Sequence, residues 1–155
     1  MKILVFSDTH GNFIDMHEAV NKHRDCEVII HCGDGEQQAE EIKLAYPDKM
    51  LINVCGNCDR YSQLDATQYF SIFNKKIMVT HGHNYNVKYS LSNLIAQAKK
   101  EHCNIVCFGH THNAVNEYID GLYVFNPGSC SRYNGSYGII DITPSGDILT
   151  NIVKL

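Results

Sequence analysis

Short apolar runs alternate with amphipathic stretches through the first part of the chain. Runs rich in β-branched residues occupy positions 3–6, 28–30 and 51–54. Between them, residues 13–20 and 39–46 carry apolar side chains three and four positions apart, which is the spacing of one helix face. Strands that alternate with helices in this order predict a βαβαβ unit with parallel strands.

The middle of the chain continues this alternation. Two strands are predicted at 67–73 and 76–80, and another at 105–108. Between them lies the most regular helical pattern, with Lys99 and Lys100 near its C-terminus, where positive charge favours a helix. The apolar face of this helix consists of Val87, Leu91, Leu94, Ile95 and Ala98.

The C-terminal part of the chain has a pattern typical of antiparallel strands. Asp120-Gly121 separates two alternating runs, as in a two-residue hairpin, and Pro144-Ser145-Gly146 separates two more. No repeat, linker or low-complexity segment divides the sequence. We therefore expect one α/β domain over residues 1–155, with two mixed β-sheets packed as a sandwich and flanked by helices.

Composition agrees with a globular domain and restricts its partners. Of 155 residues, 44% are hydrophobic and 19% are charged, which is enough apolar surface for a core and too much for a disordered chain. A net charge of −4 lacks the basic excess of a nucleic-acid-binding domain. No apolar run reaches the roughly 18 residues of a membrane span, and Met1-Lys2 leads directly into a strand, so we expect a cytoplasmic protein without membrane contact.

The seven cysteines do not have the number or spacing of a secreted disulfide framework. We expect most of them to be small, reduced core residues. Cys55 and Cys58 have the CxxC spacing of zinc sites and redox centres. A structural zinc site needs a second such pair, however, and Cys103 and Cys107 are spaced too widely to supply it.

Five apolar runs each stop at a cluster of small and metal-binding residue types. In open α/β sheets ligands bind outside the carboxyl ends of the strands, so five such ends predict one shared site. A single Asp-x-His segment is explained equally well as a capping turn, but five converging clusters are not. The clusters are 7–12, 31–35, 55–60, 80–84 and 109–113.

The spacing within two clusters is typical of metal ligands. On an extended backbone, residues i and i+2 project to the same side, so Asp8 with His10, and His110 with His112, can face one cavity. Carboxylate, imidazole and amide donors suit a borderline divalent ion such as manganese, iron, nickel, cobalt or zinc. The potential ligands are too many for one ion, whereas one bridging carboxylate would let them bind two. They are Asp8, His10, Asp34, Asn57, His81, His110 and His112.

The charge of such a centre favours a phosphate substrate. Two divalent ions bring +4, and the carboxylates of Asp8 and Asp34 with one hydroxide bring −3, which leaves about +1. A fixed positive charge suits a phosphate oxyanion whose charge increases in the transition state. Arg60 lies within a cluster and Arg132 follows the segment 126–129, so each either contacts the phosphate or is an ordinary solvated surface residue.

In order and spacing, the clusters resemble the motifs of the calcineurin-like metallophosphoesterase superfamily, and most closely those of small prokaryotic YfcE-type phosphodiesterases. The resemblance extends over nearly the whole chain. It implies a β-sandwich flanked by helices and hydrolysis of a phosphate ester by a metal-bound hydroxide. The motifs are Asp8-x-His10, Gly33-Asp34, Gly56-Asn57-x-Asp59, His81-Gly82-His83 and Gly109-His110-Thr111-His112.

The resemblance also implies roles for individual residues. It implies two divalent ions, with Mn²⁺ expected and Ni²⁺, Fe²⁺, Co²⁺ or Zn²⁺ as alternatives. One ion would be bound by Asp8, His10, Asp34 and His112. The other would be bound by Asp34, Asn57, His81 and His110, with Asp34 as the bridge. The expected substrate contacts are Asn12, Arg60 and Arg132, and the residue expected to support the ligands is Asp59.

One position departs from the wider superfamily. Many relatives have a histidine in the third position of the Gly-Asn-His-Asp/Glu motif, where it assists the leaving group, whereas this chain has Cys58. A thiol near neutral pH has neither the charge nor the donors of an imidazole, so we expect slow cleavage of esters with poor leaving groups. His83 would either replace the missing imidazole or support a neighbouring ligand. The residues expected to take part in catalysis are Asp34, Asn57, Cys58 and His83.

The sequence therefore predicts a binuclear metal-dependent phosphoesterase, and more specifically a phosphodiesterase, that acts on a small-molecule phosphate ester. Two alternatives stay open. The superfamily fold includes a retromer subunit that resembles a degraded phosphoesterase and acts as a protein-binding scaffold, although the complete ligand set argues against that function here. A hydrolase of another class is the second alternative. A homo-oligomer is compatible with each of these functions.

Overall fold

The computed structural model describes residues 1–131 and 134–155. Within these ranges the chain forms two five-stranded β-sheets. Its first half has the predicted alternation of strands and helices. The elements are β1 (Lys2–Phe6), α1 (Phe13–Lys22), β2 (Val28–His31), α2 (Glu36–Ala45) and β3 (Met50–Asn53).

The remaining elements complete both sheets. A short 3₁₀ turn at His83–Tyr85 separates the fifth strand from the third helix. The elements are β4 (Thr67–Ile72), β5 (Lys75–Thr80), α3 (Ser92–Lys100), β6 (Ile105–Cys107), β7 (Val115–Ile119), β8 (Leu122–Asn126), β9 (Ser136–Ile142) and β10 (Ile148–Lys154).

Both sheets are mixed, as the sequence predicts. The first has the order β10-β9-β1-β2-β3, in which β1, β2 and β3 are parallel and β9 is antiparallel to β1. The second has the order β4-β5-β6-β8-β7, and its β7–β8 hairpin is antiparallel. The C-terminal part is not purely antiparallel, because β8 also pairs in parallel with β6. The predicted βαβαβ unit and the α/β fold class are confirmed.

The main core lies between the two sheets. Alternate side chains of each strand point inward, so Val5 and Ile30 of the first sheet pack in one cluster with Val79 and Phe125 of the second. At Gly138 the sheets approach so closely that a Cβ atom would lie 2.2 Å from the ring of Phe125. Only glycine allows this packing.

The helices cover the outer faces of the two sheets. Met16 of α1 and Ile42 of α2 pack with Leu4 of the first sheet, and Leu94 of α3 packs with Met78 of the second. All five side chains are fully buried, and each such burial stabilises the fold by about 1.5–3 kcal/mol. No helix in the described residues is both long enough and apolar enough to cross a membrane. Because the two sheets cover each other's inner faces and the helices cover the outer faces, a site is expected at the ends of the strands.

Helix α3 begins at Ser92, later than the apolar pattern predicts. Residues 86–89 form a separate turn, which is closed by a hydrogen bond of 2.9 Å from the Tyr89 N–H to the carbonyl oxygen of the left-handed Asn86. The hydroxyl oxygen of Ser90 accepts a hydrogen bond of 3.1 Å from the Ser92 N–H, where the helix starts. Val87 is buried in the same cluster as Leu94, so its periodicity reflects packing of a turn and not a helix.

The cysteines are distributed as a reduced core requires. All seven are free thiols, and most are buried. Cys55 is half-buried and Cys58 is exposed. Among the described residues, no group of potential metal ligands contains two cysteines, so the CxxC segment does not form a zinc site of the ribbon type. The buried cysteines are Cys26, Cys32, Cys103, Cys107 and Cys130.

Candidate metal centre

The predicted polar clusters meet at one edge of the sandwich, where β1, β2, β3, β5 and β6 end. These strands run parallel to one another within each sheet, so their carboxyl ends lie together. We call this edge the site end. Its loops contain all seven predicted ligands, which lie in two adjoining groups.

Asp8, His10 and His112 form the first group. The Oδ1 atom of Asp8 lies 3.2 Å from Nε2 of His112 and 3.8 Å from Nε2 of His10. The two imidazole nitrogens are 3.3 Å apart. Asp8 is fully buried, whereas both histidines are partly exposed, so the group faces solvent on one side. Three donors this close together can bind one ion.

The second group surrounds Nε2 of the buried His81. This nitrogen lies 3.1 Å from Oδ1 of Asn57, 3.2 Å from Nδ1 of His110 and 3.4 Å from Oδ2 of Asp34. On the other side of the ring, Nδ1 of His81 donates a hydrogen bond of 2.7 Å to the carbonyl oxygen of Cys32. This bond fixes the tautomer of the neutral ring, with the proton on Nδ1. The lone pair of Nε2 therefore points at the other potential metal ligands of the group.

Asp34 lies between the two groups. Its ligand atoms are within 4.8 Å of those of Asp8 and His81, and also of those of His10 and Cys58. Its Oδ1 atom accepts a hydrogen bond of 2.7 Å from the Cys58 N–H. Contact with both groups is the placement that a bridging carboxylate requires.

The ligand loops are left-handed turns, so the extended backbone expected for the two i, i+2 pairs is wrong. Five ligands have φ between 44° and 67°, at a cost of about 1–3 kcal/mol for each non-glycine residue. Hydrogen bonds of 3.0 Å from the Asp8 N–H to the Gly33 carbonyl oxygen and 3.1 Å from the His10 N–H to the Asp34 carbonyl oxygen offset part of this strain. The five ligands are Asp8, His10, Asp34, His110 and His112.

Asp59 holds two of the loops together. Its Oδ2 atom accepts hydrogen bonds of 2.8 Å from the N–H groups of Asp34 and Gly56. Its Oδ1 atom accepts bonds of 3.0 Å and 3.1 Å from those of Gly35 and Glu36, at the start of α2. A carboxylate is favoured there because it satisfies free N–H groups at the positive end of the helix dipole.

Buried charges set the protonation of three ligands. Burial opposes a charge on His81, but its contacts with Asp34 and Asp8 outweigh this effect and raise the pKa of His81. Burial also opposes ionisation of Asp34, yet His81 and the N–H of Cys58 hold the pKa of Asp34 well below its usual range. For His110, burial and the neighbouring His81 lower the pKa. Asp34 is therefore ionised and His110 is neutral near pH 7.

Among the seven predicted ligands, all of which the structure describes, one buried side-chain atom has no hydrogen-bond partner. It is Oδ1 of Asp8, although imidazole nitrogens of His112, His10 and His81 lie 3.2, 3.8 and 3.9 Å away. Leaving such an oxygen unpaired costs about 1–3 kcal/mol or more, and a cation among these atoms would remove that cost. Imidazole, carboxylate and amide donors fit the divalent ions expected from the sequence.

Cys58 and His83 lie beside the ligand groups. Nδ2 of Asn57 donates a hydrogen bond of 3.4 Å to the exposed sulfur of Cys58. Contact with Asp34 and, to a smaller extent, burial raise the pKa of this thiol. The His83 ring centre is 5.4 Å from that of His81, and burial together with His81 lowers the pKa of His83. Both residues are thus close to the predicted ligands, and a role of either in catalysis stays a prediction.

The three predicted substrate contacts differ in their surroundings. Asn12 is buried, and its amide donates to the carbonyl oxygen of Cys130 at 3.1 Å and accepts from the Asp15 N–H at 3.5 Å. This amide therefore caps α1. Arg60 is exposed beside the ligand loops. Arg132 lies outside the described residues. A contact of any of the three with substrate stays a prediction.

Two shallow depressions lead away from the ligands. The first has a volume of about 260 Å³ and is lined by His10, Cys58 and the start of α2. The second has about 320 Å³, shares Glu36 and Gln37 with the first, and extends to Arg60. A molecule bound beside His10 therefore has room for a substituent along α2.

Sequence reasoning missed a buried hydrogen-bond chain behind the ligand loops. Nδ1 of the fully buried His31 accepts a bond of 3.2 Å from the Gly33 N–H, and its Nε2 lies 3.2 Å from the Thr9 hydroxyl. That hydroxyl donates to Oε1 of Gln38 at 3.2 Å, and the Gly11 N–H donates to the same oxygen at 3.0 Å. Burial lowers the pKa of His31 to about 4. A polar Gln38 on the otherwise apolar face of α2 is the signal that indicates this chain.

Residues 1–144 match the family described as Calcineurin-like phosphoesterase superfamily domain. Among curated relatives, “Probable metallophosphoesterase YsnB” of Bacillus subtilis (strain 168) is 31% identical over 147 residues, which cover 92% of this chain and 85% of that protein. “Phosphodiesterase MJ0936” of Methanocaldococcus jannaschii is 29% identical over 149 residues, which cover 86% of each chain.

Solved structures with the same fold include two that bear on the alternatives. Vps29 from Entamoeba histolytica superimposes with a TM-score of 0.80 at 22% identity, over 100% of this chain and 99% of that chain. YfcE, a phosphoesterase from E. coli, superimposes with a TM-score of 0.65 at 21% identity, over 99% of this chain and 98% of that chain. At these identities the likeness establishes the fold alone.

Proposed function

This chain belongs to the calcineurin-like phosphoesterase superfamily, and from that membership we propose that it is a binuclear metal-dependent phosphodiesterase. The observation that supports the proposal best is the position of Asp34 between two groups of nitrogen and oxygen donors. The unpartnered Oδ1 atom of Asp8 adds support, because a cation would satisfy it. The donor set favours Mn²⁺, and the expected site of action is the cytoplasm, where the thiols stay reduced.

The proposed ions divide the ligands between them. One would be held by Asp8, His10, Asp34 and His112. The other would be held by Asp34, Asn57, His81 and His110. When bound, the two ions would orient the phosphate, stabilise its developing charge and lower the pKa of a water molecule that attacks phosphorus.

The chain itself contributes orientation and charge. The Cys32 carbonyl oxygen fixes the His81 ring, and Asp59 holds the loops of Asp34 and Gly56 in register. Because these groups are already bonded before substrate arrives, little reorganisation is needed during the reaction. Proton donation to the leaving group is expected to be weaker than in relatives with a histidine in this motif position, because this chain has Cys58 there.

The depressions beside the ligands favour a diester over a monoester. A phosphodiester carries a second esterified alcohol, which is not the leaving group. This second group must extend away from the metal-binding residues into open space. The path from His10 along Glu36 and Gln37 to Arg60 offers room for that alcohol. The relative named phosphodiesterase MJ0936 agrees with this substrate class.

A protein-binding scaffold is the second candidate, and the likeness to Vps29 is the observation that favours it. The likeness shows the fold and not the function. All seven proposed ligand residues are present here and lie together, which a scaffold does not require. We therefore rank the phosphodiesterase first.

The test is an assay of metal-free protein before and after reloading with Mn²⁺. Three substrates share one aryl leaving group: a phosphodiester, a phosphomonoester and a carboxylic ester. We expect Mn²⁺-dependent hydrolysis that is fastest for the diester. Faster hydrolysis of the monoester would change the substrate class, and hydrolysis of the carboxylic ester alone would indicate another class of hydrolase. Protein that binds metal without hydrolysing any of the three would support the scaffold.

A further inference from the structure

The sulfur of Cys58 lies close to two of the proposed metal ligands. Ligand atoms of Cys58, His10 and Asp34 are all within 4.8 Å of one another. Two ligands on opposite sides of one ion are separated by about 4.4 Å when the metal–nitrogen and metal–sulfur distances are about 2.1 and 2.3 Å. Ligand atoms within 4.8 Å of one another are therefore close enough to share one ion after small movements of the side chains.

Cys58 is held in this position by its neighbours. Its N–H donates to Oδ1 of Asp34 at 2.7 Å, and its sulfur accepts from Nδ2 of Asn57 at 3.4 Å. The backbone bond does not depend on the side chain, so a serine at this position keeps it. The side chain is exposed, which makes its substitution tolerable to the fold.

A second observation favours a cation beside this group. Oδ1 of Asp8 is buried without a hydrogen-bond partner and lies 3.8 Å from Nε2 of His10. An ion that satisfies this oxygen would therefore contact His10 as well. Cys58 is exposed and lines the depression proposed for substrate together with His10 and Asp34.

We infer that Cys58 is a conditional metal ligand, which binds thiophilic ions such as Co²⁺, Zn²⁺ or Cd²⁺ at the His10 position but leaves Mn²⁺ or Mg²⁺ unbound by sulfur. The inference rests on the metal centre of the proposed function. Formation of the sulfur–metal bond breaks the S–H bond, and the proton passes to solvent. Hard ions prefer oxygen and nitrogen donors, so they leave the thiol protonated.

This ligand would give different ions different activities. A sulfur bound on the solvent-facing side fills the coordination position that the phosphate needs. The protein therefore binds thiophilic ions more tightly than Mn²⁺, and it is less active with them. In the wider superfamily motif an imidazole occupies the same position. The different behaviour of thiophilic ions and Mn²⁺ is therefore expected only where a cysteine is present.

Cobalt absorption tests the inference without any substrate. Co²⁺ is titrated into metal-free wild type, Cys58→Ser and, as the matched control, Cys55→Ser, whose cysteine belongs to no group of potential ligands. Visible d–d bands report binding of Co²⁺, and a near-ultraviolet sulfur-to-cobalt charge-transfer band reports a thiolate ligand. We expect both signals in wild type and Cys55→Ser, and d–d bands alone in Cys58→Ser.

Metal affinities provide the second measurement. Cys58→Ser should bind Cd²⁺ about 10–100-fold more weakly than wild type, while its affinity for Mn²⁺ stays unchanged. Wild type with d–d bands but no charge-transfer band overturns the inference and leaves the metal centre standing. A charge-transfer band that persists in Cys58→Ser assigns the ligand to another cysteine and also overturns it. Absence of d–d bands in every protein would overturn the metal centre itself.

Discussion

The two ends of the sandwich use one backbone conformation for different purposes. At the end opposite the metal ligands, which we call the hairpin end, tight turns join β4 to β5, β7 to β8 and β9 to β10. Asn74 and Asp120 have φ of 63° and 47° there, and both residue types suit hairpin turns. At the site end, Asp8 and His10 have φ of 52° and 44°, and bonds to another loop hold them.

Hydrogen bonds show what separates the two ends. At the hairpin end, Asp147 accepts bonds of 2.6 and 3.1 Å from the hydroxyl groups of Ser145 and Thr143, which are near neighbours in sequence. At the site end, Asp59 accepts bonds from N–H groups of Asp34 and Gly35, which are 25 and 24 positions away. Local sequence thus determines the hairpin end, whereas contacts between distant loops determine the site end. A change at the site end should therefore alter shape and function together.

Chelation should separate the two ends most strongly. Removal of metal should abolish phosphoesterase activity and speed amide hydrogen exchange in the loops of the site end, because the proposed ions would connect those loops. Exchange at the hairpin end should not change. Active, reloaded protein should contain about two ions per chain by elemental analysis, and Mn²⁺ should restore activity. At most one ion in fully active protein would rule out the binuclear centre.

Asp34→Asn should have the largest effect of any single substitution. It weakens both ions and makes the centre more positive, so activity should fall by more than about 100-fold. His112→Ala should cost less, because His112 contacts one group only. Asp120→Asn is the matched change at the hairpin end, where an exposed pair with Lys99 contributes about 0–1 kcal/mol, and it should leave activity unchanged. Near wild-type turnover of Asp34→Asn would show that Asp34 is not the bridge.

Two glycine substitutions compare the ends directly. A Cβ atom at Gly56 would lie 2.0 Å from Oδ1 of Asp34, so Gly56→Ala should destabilise the protein by about 1–3 kcal/mol and weaken metal binding. At Gly121, φ is 87° and nothing lies within 4 Å of the added atom, so Gly121→Ala should cost about 1 kcal/mol with full activity. Urea unfolding and metal titration measure both effects. Equal losses of metal affinity in the two variants would remove the proposed distinction.

His31 should make the site end sensitive to acid. Its pKa is about 4 in the folded protein and 6.5 in the unfolded chain, so only the unfolded chain takes up a proton as pH falls between these values. Stability should therefore decrease as pH falls through this window, by about 3 kcal/mol in total. Urea unfolding of metal-free protein at pH 7 and 4.5 measures the loss. The loss should be smaller by about that amount in His31→Gln, and an equal loss would exclude His31 as its source.

Cys58→His should have the smallest and most selective effect. An imidazole can protonate a poor leaving group, so alkyl phosphodiesters should gain more than activated aryl diesters. The gain should fall well below the factor of about 10²–10⁴ that a positioned acid provides, since no surrounding residues are arranged to hold the ring. The measurement is the dependence of rate on leaving-group pKa in both proteins. The same dependence in a metal-loaded variant would mean that position 58 is not where an acid acts.

The fold was predictable because burial determines most of it. Every apolar run in the first sheet became a strand, and the helix faces at 13–20 and 39–46 pack as their spacing predicts. The start of α3 was not predictable in this way, because Val87 is buried in a turn that has helical spacing only by coincidence. The spacing of apolar residues indicates which side chains are buried, but it does not distinguish the turn at 86–89 from the first turn of a helix.

The site was predictable in its residues but not in its geometry. The rule that ligands gather at the carboxyl ends of strands placed Asp8, Asp34 and His81 together without any knowledge of the backbone. The left-handed turns and the chain from His31 to Gln38 escaped prediction, because each depends on contacts between segments far apart in sequence. Long-range hydrogen bonds leave little trace in a local pattern.

The position of β1 also has a consequence for the order in which the protein becomes functional during its synthesis. β1 lies between β2 and β9, with Lys2 opposite Asp141, so one edge of the first strand has no partner until the ninth strand leaves the ribosome. The loop after β1 also lacks a partner until then, because the Ser129 hydroxyl donates a hydrogen bond of 2.8 Å to the Asp8 carbonyl oxygen. At translation rates of about 5–20 residues per second, synthesis from the end of β1 to the end of β9 takes about 7–27 s. The ligands of the proposed metal centre therefore come together only after β9 has been made, and ions would bind after that.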